Sequence, residues 1–265
     1  IYIGSRDIGK GETAVQDIKA RNPDSNIFVF KLDLSSLKSV RDFAQQIINN
    51  EKSVDLLINN AGVMMLPYNT SADGYELQLA TNHLGHFLLT LHLLPVMKRS
   101  KKARIVNVSS SAHRIGEIDL DNINLKHGAY SPLKAYAQSK LCNVLFTKEL
   151  AKRLPGSNIN AYALNPGLIN TGLDKYVWPP VPTSLKPYLY LSPEMGSQTT
   201  LYCAIDETLD NESGYYYDNN QFAVILFSNC RRVKHMVSNA RNDTTARLLW
   251  ELSADLVNLE KELRI

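Results

Sequence analysis

Tyr136 and Lys140, in the stretch "YAQSK", stand four residues apart. On a helix that spacing puts both side chains on one face, where an ammonium can sit close to the phenol and lower its pKa by favouring phenolate. A tyrosine tuned in this way passes a proton to or from a substrate oxygen near neutral pH. Chance alone supplies about one Y-x-x-x-K in a chain of this composition, and Tyr130 with Lys134 repeats the spacing. Ser131-Pro132 separates that second pair, so Tyr130 precedes the helix and need not face Lys134. A second group, "NVSSSAH" at 107–113, follows an apolar strand. A hydroxyl there can donate to a carbonyl or oxyanion in the crevice where open α/β sheets place their ligands, and the plain alternative is that serines merely end the strand. A Ser–His hydrolase does not fit, because the chain has no G-x-S-x-G elbow. His113 reads as a loop histidine, not a base.

Two further stretches carry polar groups where packing alone would not ask for them. "LLINNAG", 56–62, ends an apolar strand in side-chain amides and small residues, which either fix a tight turn or let a flat ligand approach the backbone. "NHLGHF", 82–87, sets Asn82, His83 and His86 in an otherwise apolar helix. Asn82 there either satisfies backbone groups or serves a site. The two histidines have an i, i+3 spacing but no acidic companion, so no metal is expected. The opening "IYIGSRDIGKGE" places Gly4, Gly9 and Gly11 at a strand-to-helix turn. That spacing fits neither G-x-G-x-x-G nor G-x-x-x-G-x-G, and Asp7 would bring a carboxylate to a phosphate.

The elements that must position these residues alternate. Strands are expected at 1–4, 27–32, 54–58, 104–109 and 159–164. Between them, Leu37, Val40, Phe43 and Ile47 recur at helical spacing behind a Ser35 or Ser36 cap. "YELQLATNHLGHFLLTLHLLPVMKRS" reads as one long buried helix, apolar nearly all round. A third helix starts after Ser131-Pro132, with serine as cap and proline in the first turn, and ends before Pro155-Gly156. Apolar strands alternating with helices indicate a parallel sheet covered on both faces, a Rossmann-type doubly wound α/β fold in a single domain over residues 1–265. Residues 176–193, rich in proline and aromatics, are the expected substrate lid. The chain has 265 residues, 44% hydrophobic and 21% charged, with a formal charge of +3. Such a balance, without a basic run, gives no reason to expect a nucleic-acid partner. Cys142, Cys203 and Cys230 form neither a disulfide framework nor a zinc pattern. No apolar run reaches the ~18 residues a membrane span needs.

The order "DLLINNAG", "NHLGHF", "RIVNVSS", "YAQSK", "NPGLINT" resembles that of the short-chain dehydrogenase/reductase superfamily. "SRD", "VNVSSSAH", "AYAQSKLCN" and "NARNDTTARLLWELS" look most like its branch of retinol dehydrogenase-like proteins and the WW-domain-containing oxidoreductase. The resemblance implies Tyr136 as catalytic acid/base, and Lys140 as the group that lowers its pKa and holds the nicotinamide ribose. It implies Ser110 as donor to the substrate oxygen, with Ser109 and Ser111 as alternatives. Asn82 would bend its helix and anchor a proton-relay water to Lys140. Asn60, Ala61 and Gly62 would line the adenosine ribose, Asp33 and Leu34 the adenine, and Pro166, Gly167, Ile169 and Thr171 the nicotinamide. The implied reaction is hydride transfer between nicotinamide and a lipophilic alcohol, aldehyde or ketone of retinoid or steroid type, with a homodimer possible. Arg6 falls where the adenosine ribose is read, and an arginine there pairs with a 2′-phosphate, so NADP is expected over NAD.

The sequence departs from the family at two places. The loop T-G-x-x-x-G-x-G is missing, and counting back from "NNAG" shows one whole βα unit lacking before it. In the 3-2-1-4 strand order the lost strand is central, so its neighbours would each have an unpaired edge. An N-terminally incomplete chain that binds NADP poorly is the expectation, with a non-catalytic member of the fold as the competing one. Any membrane anchor would precede residue 1, which leaves a cytoplasmic or membrane-associated location open. The second departure is an apparent insertion at 220–229, between the "GYYY" strand and Cys230.

Overall fold

The computed structural model describes residues 1–170, 190–218 and 230–265. Its first unit is β1 (Tyr2–Ser5), α1 (Ile8–Arg21) and β2 (Phe28–Lys31), with β1 and β2 paired in parallel. Asp7 caps α1 by accepting from the Lys10 amide at 3.2 Å. α2 (Leu37–Asn50) starts at Ser36, whose hydroxyl accepts from Ser39 N, and buries Leu37, Val40, Phe43 and Ile47, the four residues whose spacing predicts it. β3 (Leu56–Asn59), β4 (Ala103–Val108), β5 (Ile159–Asn165) and β6 (Tyr215–Asp218) then run parallel in that order, and β7 (Arg231–Arg232) closes the sheet antiparallel.

The two sheets are separate. Among the described residues β1 pairs only with β2, and β3 only with β4. β1 and β3 thus each have one unpaired edge, as the strand order in the sequence leads one to expect. Leu56 and Ile58 on β3 are exposed by 37% and 39%, where a central strand would hide them. β4, by contrast, is buried along its whole length.

Helices cover both faces of the larger sheet. On one face lie α4 (Gly85–Met97), α5 (Pro132–Arg153) and α8 (Asp243–Leu256), whose Phe87, Phe146 and Trp250 pack edge-on and tilted against one another in the main core. On the other lies α6 (Pro193–Ile205), whose Cys203 and Ala204 close a smaller core with Val106, Tyr162 and Tyr217. The short α7 (Ser238–Arg241) leads into α8. α5 begins as expected, with Ser131 as cap and Pro132 in the first turn.

The expected single helix before β4 is not continuous. A turn of α-helix, α3 (Leu77–Leu79), passes into a π-turn over Ala80–Leu84 before α4 begins. Gly85 donates to Ala80 O, one residue further back than in an α-helix. The cause is tertiary. Gly85 lies so close to the Leu34 carbonyl that a Cβ would collide with it, and Asn82, inside the π-turn, is drawn toward the loop after β3.

Candidate active site

α5 presents Tyr136, Ser139, Lys140, Asn143 and Thr147 toward the carboxyl end of β4. Tyr136 and Lys140 are 7% and 4% exposed, so both are removed from bulk water. Tyr130, by contrast, lies before the helix, where its hydroxyl donates to Leu66 O at 2.6 Å and accepts from Gln78. The strand-end serines divide their work. Ser109 is buried and donates to Lys140 O at 2.7 Å, tying β4 to α5. Ser111 is exposed. Of the three, Ser110 is the one whose hydroxyl acts on the Tyr136 phenol, drawing its pKa down.

Asn82 joins from the π-turn. Its Nδ2 donates to Val63 O and to Ser139 Oγ, both at 2.9 Å, and its Oδ1 accepts from Val63 N at 2.8 Å. The amide is fully used in fixing the loop after β3 against α5. Gly62 is the point of closest approach: a Cβ there would stand 3.1 Å from Asn82 Oδ1 and 3.5 Å from Lys140 Nζ. Asn82 thus sits at the middle of the π-turn that interrupts the α-helical hydrogen bonding.

The electrostatics correct one expectation. Burial pushes the Tyr136 phenol upward and the Ser110 hydrogen bond draws it only partly back, so the net direction is up, not down. Lys140 does not offset this. Its Nζ donates to Val108 O at 3.1 Å and lies 5.8 Å from the Tyr136 ring centroid. Burial also lowers the Lys140 ammonium to about 8, which weakens the charge it offers at neutral pH.

His113 lies in the connection after β4. It is buried in the 3₁₀ turn Ser111–Ile115, with its pKa lowered by burial. His83 and His86 are buried too, with burial lowering them to about 3 and about 4. His83 Nε2 meets Ser253 Oγ at 2.9 Å, and His86 Nδ1 donates to Asn82 O at 3.1 Å.

A phenol, a hydroxyl, an ammonium and an amide thus converge at the carboxyl ends of parallel strands, and known proteins share the pattern. The model of the family described as short chain dehydrogenase matches residues 1–181. The chain belongs to the short-chain dehydrogenase family. It is 43% identical to retinol dehydrogenase 11 of Mus musculus over 266 residues, covering 98% of this chain and 78% of that protein. Retinol dehydrogenase 12 of Homo sapiens is likewise 43% identical over 268 residues, covering 99% and 79%. A solved structure, a putative uncharacterized protein from Mycobacterium Paratuberculosis, superposes with a TM-score of 0.75 at 36% identity, covering 98% and 84%. The chain is thus an oxidoreductase of the CH–OH class, on the retinol dehydrogenase-like side of the family.

The family implies a nicotinamide cofactor, and the remaining candidates bear on how it would fit. Arg6 follows β1 with an exposed side chain, and Lys31 Nζ donates to its carbonyl at 2.6 Å. Asn60 and Ala61 are exposed and Gly62 half-buried after β3. Asp33 is half-buried, and its Oδ1 accepts from both the Ser35 amide and hydroxyl. Leu34 is buried, with both its side chain and its carbonyl against Gly85. Pro166 and Gly167 follow β5, with Gly167 at φ +88° and its amide donating to Asn165 Oδ1 at 3.2 Å. Ile169 pairs with Leu191 and packs its side chain onto Gly196. Thr171, residues 176–189 of the expected lid and the 220–229 segment lie outside the described residues; the lid's last four residues lead into α6. The donor set suits both ends of a dinucleotide, a guanidinium for the adenosine side and an ammonium for the nicotinamide side. Its middle is not matched, since no glycine loop offers backbone amides to the pyrophosphate.

A buried polar network escaped the reading of the sequence. Asn59 Nδ2 donates to Thr90 Oγ1 at 2.9 Å and to Asn107 Oδ1 at 2.7 Å. Asn107 donates to Thr147 Oγ1 at 2.9 Å, which donates to Asn143 O at 2.8 Å. Asn143 Nδ2 donates to Val108 O at 3.2 Å, the carbonyl that also receives Lys140. The signal was available in α5, where Tyr136, Lys140, Asn143 and Thr147 recur at i, i+4, i+7 and i+11. Among the described residues no helix is long and apolar enough to cross a membrane.

Proposed function

We propose that this chain is an NADP-dependent oxidoreductase interconverting a lipophilic alcohol and its carbonyl, of retinoid or steroid type. The convergence of Asn82, Ser110, Tyr136 and Lys140 carries the reading. When bound, the cofactor supplies or accepts the hydride at its nicotinamide ring. Ser110 donates its hydroxyl proton to the substrate oxygen and sets its distance from Tyr136. Tyr136 gives its phenolic proton to that oxygen in the reducing direction and takes one back in the oxidising direction. Lys140 leaves Val108 O for the ribose hydroxyls and brings its charge toward the phenol, which lowers a pKa that burial alone raises. Arg6, exposed at the end of β1, pairs with the 2′-phosphate. The retinol dehydrogenases named above support the substrate class by their likeness over nearly the whole chain.

A second reading is a non-catalytic member of the family. The missing glycine loop and the open edges of β1 and β3 favour it. Turnover of long-chain aldehydes, retinaldehyde and steroid ketones at millimolar NADPH separates the two. The enzyme reading expects reduction that Tyr136→Phe cuts by about 10²–10⁴-fold, the range for a lost general acid. Arg6→Glu raises the KM for NADPH and leaves that for NADH unchanged. Activity unaffected by Tyr136→Phe removes Tyr136 from its role. Cofactor binding without turnover by the wild-type chain supports the second reading.

A further inference from the structure

We propose that His113 is a positioning residue, holding the Ser110 peptide so that its hydroxyl stays aimed at Tyr136 and the substrate oxygen; this rests on the function proposed above. Ser110 stands at the end of β4 with an extended backbone, φ −163° and ψ 159°, as the cap of the 3₁₀ turn. Its hydroxyl accepts from Ala112 N at 3.2 Å, which leaves one lone pair and the proton for Tyr136 and substrate. Its carbonyl receives two donors. The His113 amide reaches it at 3.1 Å and closes the turn, and the His113 Nδ1–H reaches it at 2.7 Å. The turn needs only the first bond. The second uses the remaining lone pair and fixes the plane of the Ser110 peptide.

The imidazole can hold that peptide because it is itself held. His113 is 1% exposed, and its ring lies against Tyr216 with centroids 4.6 Å apart and planes inclined by 58°. Tyr216 is part of β6, paired with Ala163 of β5, so the ring it offers belongs to the rigid sheet. The charged groups facing His113 are Arg114 and Asp218, which pair with each other at 3.3 Å. Burial keeps the imidazole neutral, with its proton on Nδ1 because the acceptor there is a carbonyl. Contact thus passes from sheet to Tyr216, to His113, to the Ser110 peptide.

Three variants and one spectrum test this. His113→Phe keeps a ring on Tyr216 and loses the donor. His113→Asn loses the ring but places an amide N–H where Nδ1 stood. In the reductase assay, His113→Phe is expected to lower kcat about tenfold, the worth of one buried hydrogen bond, with the KM for NADPH unchanged. His113→Asn returns most of that loss. In a Ser110→Ala background His113→Phe costs no more than about twofold, because the two residues act through one hydroxyl. A kcat equal to wild type in His113→Phe, or the full loss repeated in Ser110→Ala, overturns the proposal. A nitrogen-15 spectrum of the wild-type chain decides it without activity: the neutral His113 imidazole should carry its proton on Nδ1 and titrate below the ordinary histidine range. An Nε2–H tautomer or ordinary titration near 6.5 overturns it. A chain that shows the Nδ1–H tautomer while Tyr136→Phe leaves turnover unchanged refutes the proposed function and leaves the hydrogen bond established.

Discussion

Asn82→Ala removes the one side chain that joins the π-turn, the loop after β3 and α5. Three hydrogen bonds go with it, two to Val63 and one to Ser139 Oγ. At about 1 kcal/mol each the gross loss is about 3 kcal/mol. Val63 is only half-buried, so water recovers part of its share, whereas the Ser139 hydroxyl is fully buried. That hydroxyl keeps its own bond to Tyr136 O at 2.8 Å and so loses an incoming donor, not its only partner. The net expectation is about 2–3 kcal/mol. For a chain of this length each 1 kcal/mol moves Tm by about 2–4 °C, which gives a drop of about 4–12 °C. Thermal and urea melts of wild type, Asn82→Ala and Asn82→Asp measure it. The aspartate keeps the acceptor for Val63 N but loses both donors and carries a charge into a buried site, so it should lose at least as much as the alanine. A loss below about 0.5 kcal/mol in Asn82→Ala would refute the claim that this amide pins the loop.

Arg104 is buried beneath α6, where it donates to Cys203 O at 3.1 Å and Asp206 O at 2.7 Å and pairs with Asp210. Arg104→Met should cost about 3 kcal/mol in a urea melt, since it leaves a helix C-terminus without its donors; a neutral result refutes that role. Lys140 gives a pH dependence. Its folded pKa of about 8 lies below the usual lysine value of 10.5, so between these two values the unfolded chain binds more protons and stability gains as pH rises. Below pH 8 the full cost of burying the charge is present. Lys140→Met should therefore gain more in Tm over wild type at pH 7 than at pH 9.5, and an equal gain at both refutes a depressed pKa. Ser109→Ala and Ser110→Ala should separate by activity: the first lowers Tm by breaking the buried bond to Lys140 O with the smaller effect on kcat, the second lowers kcat strongly and Tm only by the loss of the longer capping bond from Ala112 N. The reverse pattern in melts and assays would exchange their roles.

Much of this was legible because local rules governed it. Ser36 caps α2 and Ser131-Pro132 starts α5 by chemistry contained in a few residues, and the buried face of α2 is the one its periodicity marks. The convergence of Tyr136, Lys140, Ser110 and Asn82 was legible by resemblance, since no single motif among them was decisive. The break in the helix before β4 was not legible. Leu79, Leu84 and Phe87 keep an apolar pattern through it, and what opens the π-turn is the Leu34 carbonyl beside Gly85 and the loop at Val63, both distant in sequence. The direction of the Tyr136 pKa was lost for the same reason. Spacing places an ammonium on the same face as the phenol, but burial and the Val108 carbonyl decide where that ammonium points.

The Val108 carbonyl links the fold to the chemistry. It ends the most buried strand and receives both Lys140 Nζ and Asn143 Nδ2. Asn143 is also the acceptor, through its own carbonyl, of the Thr147 bond that leads back through Asn107 to Asn59. Lys140 therefore rests at the end of a buried chain of amides and hydroxyls, not in open water. Releasing it toward a ligand leaves Val108 O with Asn143 as a donor, so no buried acceptor is orphaned. The network lets Lys140 move because a second donor stays behind.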